Sequence, residues 1–551
     1  MITTRFISSL EKIFQDIEPK NEVFDRNVYL GEPFSFQFCL KSDTIGNLYF
    51  DIESDAKDYI QIHKISYVPA LLADYVEKDD YRIFTERSST YYPDILDPRP
   101  QYIRVVPGYW VSLWVTVKAG LPAGQYKIRF RTGDYYVRDL LSDDTFTFSV
   151  SGIRLLPCDI PVTCWIYYDC IAAAHRVQLF SHRFFKILKN YLKNCVSHGI
   201  NTVFVPLVSH PRRDENSYKP KTVQLLEVEK KNGKYLFDFS KLEVFIDIAI
   251  KCGIKYFEFS HFASQQGVKY TPKIIGKENG EEKVLFHYDT PCSSREYIGF
   301  LKEMLQGLRG FLERKGIMTN CFFHVSDEPF LAHLDAYQNI GNLVRKEIPD
   351  GKIIDAVNNY EFGKLGILDY PVVGTNNAKN FLTDNMDIWV YYCCDQSGNY
   401  LSNRFFNFPL LRTRVIGVQL YLNHIKGFLH WAYNDWHDMT SGEIINPRYV
   451  ADGGGVYPAG DCFLVYPGQD GPVDSIREEV FADGLRDYRA LKTLEKYRGR
   501  EFVVKLLEKY GFSDFTIYPH DEKVFMRFVG ELHELIRESE AISENQKNLT
   551  A

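Results

Sequence analysis

The first 155 residues contain short runs in which apolar and polar residues alternate, separated by turn-forming segments such as Lys118–Gly124. Alternation with a period of two is typical of β-strands that bury one face. The clearest runs are Phe34–Leu40, Leu48–Ile52, Trp110–Val117, Tyr126–Arg131 and Thr145–Val150. Several short strands at this spacing predict an N-terminal all-β sandwich over residues 1–155.

From about residue 160 the pattern changes to apolar runs that alternate with amphipathic helical segments. The apolar runs are Val162–Tyr168, Thr202–Pro206, Ile254–Phe259, Cys321–Ser326, Ile353–Val357, Val372–Thr375, Ile388–Tyr392 and Gly427–Ala432. Helical periodicity lies between them, for example at Phe184–Cys195, Leu242–Lys251, Ser294–Glu313 and Leu331–Glu347. This pattern predicts a (β/α)8 TIM-like barrel over residues 156–440. A doubly wound open sheet is the alternative, but it usually has fewer strands.

Two connections of the predicted barrel are long, and both follow strands. After the second strand, Thr222–Glu229 and Lys234–Phe239 flank Asn232-Gly233, a dipeptide typical of a β-hairpin turn. The second long connection, residues 261–293, follows the third strand. Loops that follow barrel strands lie on the catalytic face, so we expect both there.

Residues 441–551 are predicted to form a C-terminal helical extension packed on the barrel. A turn at Gly453–Gly455 and a strand at Cys462–Tyr466 precede a helix that Ser475 caps and that reaches about Tyr497. Two more helices follow, to about residue 543. Four charged residues recur at helical spacing in the first of these helices and are expected to tie it to the barrel: Arg477, Glu479, Asp483 and Asp487.

Length, charge and hydropathy narrow the class of protein. A chain of 551 residues is too long for one hydrophobic core, so several domains are expected. The net charge of -7 argues against nucleic-acid binding, which normally requires a basic face. No apolar run approaches the roughly 18 residues of a transmembrane helix, and Met1–Phe14 does not resemble a secretory signal. We therefore expect a cytoplasmic protein without nucleic-acid or membrane partners.

Cysteines and aromatic residues add weaker indications. The 11 cysteines include no Cys-x-x-Cys pair, so free thiols in a reducing compartment are expected rather than a zinc ribbon. Aromatic residues make up 15% of the chain. Aromatic rings stack on the apolar faces of sugars, but they also build hydrophobic cores, so this share alone does not separate the two uses.

The densest cluster of chemically active side chains is the segment Phe322–Pro329. Its apolar start belongs to the predicted fourth barrel strand, and Pro329 lacks the N–H that would extend the strand ladder. Asp327 and Glu328 therefore stand at the carboxyl end of that strand, where barrel enzymes hold their catalytic groups. A lone acid here would more often be solvated or cap a helix, but a pair of acids favours catalysis.

His324, in the same segment, is expected to be a hydrogen-bonded histidine of the barrel interior rather than a catalyst. A metal site built from His324, Asp327 and Glu328 is not favoured, because their spacing matches no standard set of ligands. The prediction is accordingly no metal and no cofactor.

The adjacency of Asp327 and Glu328 bears on mechanism. Conventional glycosidases place two carboxylates on different strands, about 5 to 9 Å apart across the scissile bond. Adjacent acids suit substrate assistance instead, in which the 2-acetamido oxygen of the sugar attacks the anomeric carbon. Asp327 would orient the acetamido N–H and stabilise the charged intermediate. Glu328 would protonate the leaving oxygen and then deprotonate water.

Phe323–Pro329 resembles the catalytic signature of glycoside hydrolase family 123, the β-N-acetylgalactosaminidases, and more distantly the Asp-Glu pair of the family 20 hexosaminidases. The resemblance covers most of the chain. Leu121–Tyr126 looks like a strand of the family's N-terminal sandwich, Trp389–Cys394 like its seventh barrel strand and Gly427–Asn434 like its eighth. Gly460–Gly468, Ser475–Arg477 and Asp483–Tyr488 look like the C-terminal signature of a related domain family of unknown function.

The resemblance implies that Asp327 and Glu328 take the two roles above. It does not fix the sugar, because the wider domain family contains many members without assigned substrates. The first hypothesis is an exo-acting β-N-acetylgalactosaminidase with retaining, substrate-assisted catalysis. One departure concerns the sugar: Gln265-Gln266-Gly267 stands where relatives often have Gln-Trp-Gly. If the Trp of the relatives lines the sugar site, Gln266 leaves the identity of the substrate open.

Six further side chains are predicted to bind substrate, because they follow barrel strands or precede the last one: His261, Asn358, Tyr391, Arg414, Trp431 and Asn434. For each of them, core packing or indirect support is an equal alternative. The Tyr391 phenol is suited to hold the acetamido oxygen.

Two other functions stay open at this point. One is a glycosidase of different sugar specificity on the same site, in which Asp327 meets no acetamido group. The other is a non-catalytic carbohydrate-binding protein on a hydrolase-like fold, because a fold alone does not fix a function. All three functional hypotheses have a glycan or glycoconjugate as the binding partner.

Overall fold

The computed structural model describes residues 1–23, 26–75, 79–84, 90–210, 221–265 and 267–550, with side chains of the last helix described through residue 542. Its N-terminal strands are β1 (Ile2–Ser8), β2 (Asn27–Val28), β3 (Phe34–Ser42), β4 (Gly46–Glu53), β5 (Ile60–Ala70), β6 (Thr90–Pro98), β7 (Ile103–Val105), β8 (Trp110–Val117), β9 (Gly124–Asp134) and β10 (Leu140–Val150).

These strands form two five-stranded sheets, in the orders β1-β3-β8-β5-β6 and β2-β10-β9-β4-β7. Alternating apolar side chains of both sheets share one core, in which Phe36 stacks on Phe146 with ring centroids 4.0 Å apart and Phe38 on Phe130 at 4.8 Å. The predicted all-β character of this region is confirmed.

The remaining strands are β11 (Val162–Cys164), β12 (Thr202–Val205), β13 (Glu227–Lys231), β14 (Lys234–Asp238), β15 (Tyr256–Phe259), β16 (Ile274–Glu278), β17 (Glu281–Phe286), β18 (Cys321–Phe323), β19 (Lys352–Ala356), β20 (Tyr370–Gly374), β21 (Trp389–Tyr391), β22 (Gly427–His430), β23 (Tyr466–Pro467) and β24 (Pro472–Val473). The helices are α1 (Tyr168–Ala174), α2 (His182–Ser197), α3 (Ser240–Cys252), α4 (Arg295–Lys315), α5 (Leu334–Glu347), α6 (Tyr360–Gly363), α7 (Ala378–Thr383), α8 (Leu410–Arg414), α9 (Ile416–Leu422), α10 (Ile476–Arg498), α11 (Arg500–Lys509) and α12 (Glu522–Thr550).

Eight parallel strands close into a barrel in the order β11-β12-β15-β18-β19-β20-β21-β22, and β22 pairs with β11. Each predicted barrel strand is present, so the barrel prediction is confirmed against the open sheet. Seven of the eight strands end earlier than predicted, and the third ends at Phe259 as predicted. The fourth ends at Phe323 because the N–H groups of Val325 and Ser326 donate to the Asp355 carboxylate at 3.0 and 3.3 Å.

The two long connections combine into one small sheet, β14-β13-β16-β17. The predicted hairpin turns at Asn232 and Gly233, which have φ angles of +50° and +76°. Positive φ at both central residues is what a two-residue type I′ turn requires. The sheet lies after the second and third barrel strands, on the expected face.

The predicted strand Cys462–Tyr466 does not form as a continuous strand: Phe463 makes an isolated antiparallel bridge with Asn434, and Tyr466–Pro467 pairs with Pro472–Val473. An arginine side chain supplies further hydrogen bonds to this segment. Arg477 Nη1 donates to the carbonyl oxygens of Gly460 and Phe463 at 2.7 and 2.8 Å. The buried backbone thus meets its hydrogen bonds without a ladder.

The predicted helix after Ser475 is confirmed as α10, and the Ser475 hydroxyl accepts from the N–H of Glu478 at its start. Arg477 forms a buried ion pair with Asp94 of β6, and Asp487 forms one with Arg414 of α8. The charged positions of α10 therefore contact both the N-terminal sheets and the barrel.

Candidate active site

A cavity of about 510 Å³ opens at the carboxyl ends of the barrel strands. We call it the mouth cavity. Four of the predicted site residues line it: Asp327, Glu328, Tyr391 and Trp431. These residues follow or end the fourth, seventh and eighth strands, so the barrel brings together side chains that are far apart in sequence.

Asp327 and Glu328 lie on the loop that follows β18. Glu328 has a φ angle of +47°, in the left-handed region that side-chain-bearing residues seldom occupy. Its N–H donates to the carbonyl oxygen of Ala356 at 3.1 Å, at the end of the neighbouring strand. This sharp turn directs both acids to one cavity.

The Glu328 carboxylate is held by two neutral donors. Its Oε1 accepts from Asn358 Nδ2 at 3.1 Å and from the Tyr391 hydroxyl at 3.2 Å. The same Tyr391 hydroxyl lies 3.0 Å from Asn358 Oδ1, so its one proton is shared between these two acceptors. Burial, followed by the neighbouring Cys393 and Glu328, raises the pKa of Tyr391, so its phenol stays protonated as a donor. Asn358 is thus placed to orient Glu328 and Tyr391.

A buried charged network lies beneath the cavity. His324 hydrogen-bonds Asp355 through Nδ1 at 2.9 Å and Glu258 through Nε2 at 2.7 Å. Burial alone would lower the pKa of His324, but these two carboxylates raise it to about 10. Glu258 also accepts from the indole N–H of Trp165 at 2.7 Å, and Trp165 lines the cavity. The network connects the floor of the cavity to the backbone before Asp327.

The structure does not bring His261 into the mouth cavity. Its ring is fully buried and stacks on His324, with centroids 4.3 Å apart. Burial, together with the positive charges of His324 and His210, lowers the pKa of His261 well below its usual value. A neutral ring packed against an imidazolium supports the network, which corrects the prediction of a substrate-binding residue.

Arg414 is also placed away from the cavity, which corrects its predicted role. Its guanidinium donates twice to Asp487 of α10, from Nε at 2.7 Å and from Nη2 at 3.0 Å. Both side chains are at most 9% exposed. Arg414 faces the C-terminal helix because the fixed fork of a guanidinium matches a carboxylate there.

The two predicted residues after the eighth strand differ in position. Trp431 lines the cavity, and its indole N–H donates to Asp461 at 3.3 Å. Asn434 is fully buried behind the wall. It accepts from the N–H of Tyr167 at 2.9 Å and donates to the carbonyl of Tyr167 at 3.1 Å. Asn434 therefore supports the backbone of a cavity residue.

Several residues of the cavity were missed by sequence reasoning, among them Trp165, Tyr167, Asp169, Asp435 and His437. A positional signal was available, because all of them follow the first or eighth strand. Gln266, by contrast, lies outside the described residues.

Among the described residues, three clusters hold His, Cys, Asp or Glu ligand atoms within 4.8 Å of one another. Those at the barrel are Asp169, Cys170 and His437, and His261, His324 and Asp355; the third is His198, Asp474 and Glu478. In each cluster a histidine already faces a carboxylate, at 2.9, 2.9 and 3.6 Å respectively. His324 belongs to the second cluster, and Asp327 and Glu328 belong to none of these three.

The catalytic-domain model of glycoside hydrolase family 123 matches residues 165–494. A search among curated proteins gives no match. Among solved structures, a family 123 glycoside hydrolase from Clostridium perfringens, described in terms of glycolipid glycan hydrolysis, has a TM-score of 0.73 at 16% identity over 100% of both chains. A Bacteroides ovatus GH5 xyloglucanase has a TM-score of 0.30 at 8% identity, over 84% of this chain and 98% of its own.

The first of these structures shares the fold along its whole length. The family model covers more than half of the chain, including seven of the eight barrel strands (β12 to β22), the Asp327–Glu328 loop and most of α10. This chain therefore belongs to glycoside hydrolase family 123 and is a glycoside hydrolase.

Proposed function

We propose that this enzyme is an exo-acting β-N-acetylgalactosaminidase that cleaves with retention and with assistance from the 2-acetamido group. The observation that carries the proposal is that Asp327 and Glu328, adjacent in sequence, line the same wall of one cavity. Two neighbours on one wall do not straddle a glycosidic bond as conventional carboxylate pairs do. The substrate's own acetamido oxygen would supply the missing nucleophile.

In this scheme Glu328 is the general acid and base. Its Oε1 is occupied by Asn358 and Tyr391, which fixes the carboxyl group in one orientation. Proton transfer requires such positioning within hydrogen-bond reach of the leaving oxygen. Asp327 would accept from the acetamido N–H and stabilise the positive charge that develops on the intermediate.

The aromatic side chains Trp165, Tyr167 and Trp431 support a sugar as the ligand of the cavity. Aromatic faces pack on the C–H faces of pyranose rings, while their polar atoms orient hydroxyls. The C. perfringens relative is described as acting on glycolipid glycans. A glycan that ends in β-linked N-acetylgalactosamine, carried on a lipid or another aglycone, is accordingly the substrate class we propose.

The test compares aryl β-N-acetylgalactosaminides with aryl β-galactosides of the same leaving group. We expect cleavage of the first with a larger kcat/KM, competitive inhibition by an N-acetylgalactosamine-thiazoline, and a first-formed β-anomer in NMR. Equal or better activity on the plain β-galactoside would replace this proposal with a glycosidase of different specificity. A first-formed α-anomer would refute retention.

A further inference from the structure

Asp169, Asp435 and His437 line the mouth cavity and have no part in the proposed catalytic steps. We call them the Asp-His-Asp group. Asp169 lies in α1, just after the first barrel strand, and Asp435 and His437 follow the eighth. In the closed barrel the eighth strand is four positions away from the fourth, which precedes Asp327 and Glu328. The group therefore stands across the mouth from the carboxylate pair.

The three side chains hold one another in place. His437 bonds Asp435 Oδ1 through Nδ1 at 2.6 Å and Asp169 Oδ2 through Nε2 at 2.9 Å. Both ring nitrogens are thus used, and each carboxylate has a second oxygen. Burial alone would lower the pKa of His437, but Cys170 and the two carboxylates raise it well above its usual value. Two carboxylates around one imidazolium leave one net negative charge.

A negative charge in the wall of a sugar site is stabilised by hydrogen-bond donors, and a ligand bound there can supply them. On an uncharged pyranose these donors are hydroxyl groups. Tyr167 adds an apolar surface beside the group, since its ring lies 5.9 Å from His437 and 6.4 Å from Trp431, each edge to face. A carboxylate next to an aromatic ring matches the edge of a sugar, with its hydroxyls on one side and its C–H face on the other.

We propose that the Asp-His-Asp group binds the 4-hydroxyl of the non-reducing hexosamine and determines which hexosamine is accepted. The inference rests on the proposed function for the position of the scissile bond. When the anomeric carbon C1 of the sugar lies beside Glu328, C4 is the ring carbon farthest from Glu328, and it points across the mouth cavity. Galacto and gluco sugars differ in configuration at C4, so the same contact would select between them.

The first test needs no variant. The wild-type enzyme is assayed on an aryl β-N-acetylgalactosaminide, its 4-deoxy analogue and the corresponding N-acetylglucosaminide. A hydrogen bond to a charged group is worth about 1.5 to 3 kcal/mol, so the 4-deoxy compound should lose about 10- to 150-fold in kcat/KM. A loss of less than about threefold, within the range of a weak neutral hydrogen bond, would overturn the proposal.

The second test uses Asp169→Asn and Asp435→Asn, with folding checked by the thermal midpoint. In both variants the penalty for removing the 4-hydroxyl should shrink to a few-fold, and galacto and gluco substrates should approach equal kcat/KM. Asp395→Asn is the matched control, because Asp395 also lines the cavity, whereas the two ring nitrogens of His437 bond Asp435 and Asp169. It should retain the full penalty. If both Asp169→Asn and Asp435→Asn keep the full loss of kcat/KM on removal of the 4-hydroxyl, the Asp-His-Asp group does not bind that hydroxyl.

Metal analysis of the wild type distinguishes the proposed sugar contact from an alternative interpretation, a metal site. One equivalent of a divalent ion, lost in Asp169→Asn, would replace the sugar contact with a metal site at Asp169, Cys170 and His437. Failure of the proposed function gives a different result. If the enzyme prefers a sugar without the acetamido group, the 4-deoxy comparison is made on that sugar. The role of the Asp-His-Asp group is then judged by the same ratio of kcat/KM between the sugar and its 4-deoxy analogue.

Discussion

The backbone of Glu328 is strained, because its φ of +47° forces a Cβ-bearing residue into the left-handed region. We expect Glu328→Gly to have a higher thermal midpoint than Glu328→Ala, since both lose the carboxylate and only alanine keeps the strain of about 1–2 kcal/mol. At ordinary positions glycine is the less stable of the two. Thermal unfolding of the two inactive variants measures the difference. An alanine variant at least as stable as the glycine variant would show that the turn stores no strain.

The two adjacent carboxylates are expected to differ in their dependence on the leaving group. Glu328→Gln removes the general acid, worth about 10²- to 10⁴-fold, and this loss should be largest for poor leaving groups. Asp327→Asn removes charge that stabilises the intermediate, so it should slow all substrates by a similar factor of about 10²- to 10³-fold. Values of kcat/KM for both variants, measured over aryl leaving groups of graded pKa, show which carboxylate is the general acid. A steep dependence in Asp327→Asn with a flat one in Glu328→Gln would reverse the roles.

At the scale of single residues, the sequence predicted which side chains follow barrel strands but not where they point. Asn358 and Tyr391 meet Glu328, as expected of residues at strand ends. His261 and Arg414 occupy comparable positions, yet one packs under the floor and the other pairs with Asp487. Those partners come from distant segments of the chain. Hydrophobic periodicity carries no information about them.

Among the elements, α10 packs unusually close to α9 through a pair of glycines. A Cβ on Gly417 would overlap the carbonyl of Gly484, and one on Gly484 would overlap the carbonyl of Arg414. Gly484→Ala should therefore force the helices apart and lower the thermal midpoint, by an overpacking cost of about 1–3 kcal/mol.

The control for Gly484→Ala is Gly530→Ala in α12, where an added Cβ meets no atom within 4 Å. This variant should be neutral or slightly stabilised, because alanine favours a helix by about 0.5–1 kcal/mol over glycine. A midpoint of Gly484→Ala equal to that of Gly530→Ala would contradict the close packing.

Elements with a strong periodic pattern were predicted well, including the barrel strands and the helix capped by Ser475. The prediction of strands from the sequence failed where side chains, rather than a neighbouring strand, hydrogen-bond to the backbone. The fourth strand stops early because the Asp355 carboxylate accepts from the N–H groups of Val325 and Ser326. Cys462–Tyr466 is no continuous strand: Phe463 makes an isolated bridge with Asn434, and its carbonyl accepts from Arg477. An apolar run predicts burial, but the partner of its backbone is set by tertiary structure.

At the scale of the whole molecule, the N-terminal sheets pack on the rest of the chain rather than standing apart. Trp114 and Tyr92 belong to the same continuous core as the barrel and α10, whereas Leu113 and Val115 face the interior between the two sheets. The sheet containing β8 is thus buried on both faces. The domain boundaries near residues 155 and 440 stay predictions.

The contact between the N-terminal sheets and α10 depends on a buried ion pair, and breaking it should destabilise the whole chain. Arg477 donates to both oxygens of Asp94, at 2.9 and 3.0 Å, and the two side chains are 0% and 1% exposed. Asp94→Asn keeps the shape but leaves the Arg477 charge uncompensated, at a cost of about 3–5 kcal/mol. Asp97, at the end of the same strand, pairs with Arg448 at 2.9 Å, but these side chains are 27% and 26% exposed. Asp97→Asn should cost about 0–1 kcal/mol, since solvent screens that pair. Thermal unfolding monitored by intrinsic fluorescence and by residual activity compares the two variants.

We expect Asp94→Asn to unfold at a clearly lower temperature than the wild type, and Asp97→Asn to unfold at a temperature close to that of the wild type. Equal midpoints for the two variants would mean that the Asp94–Arg477 pair does not hold the N-terminal sheets to the catalytic part of the molecule.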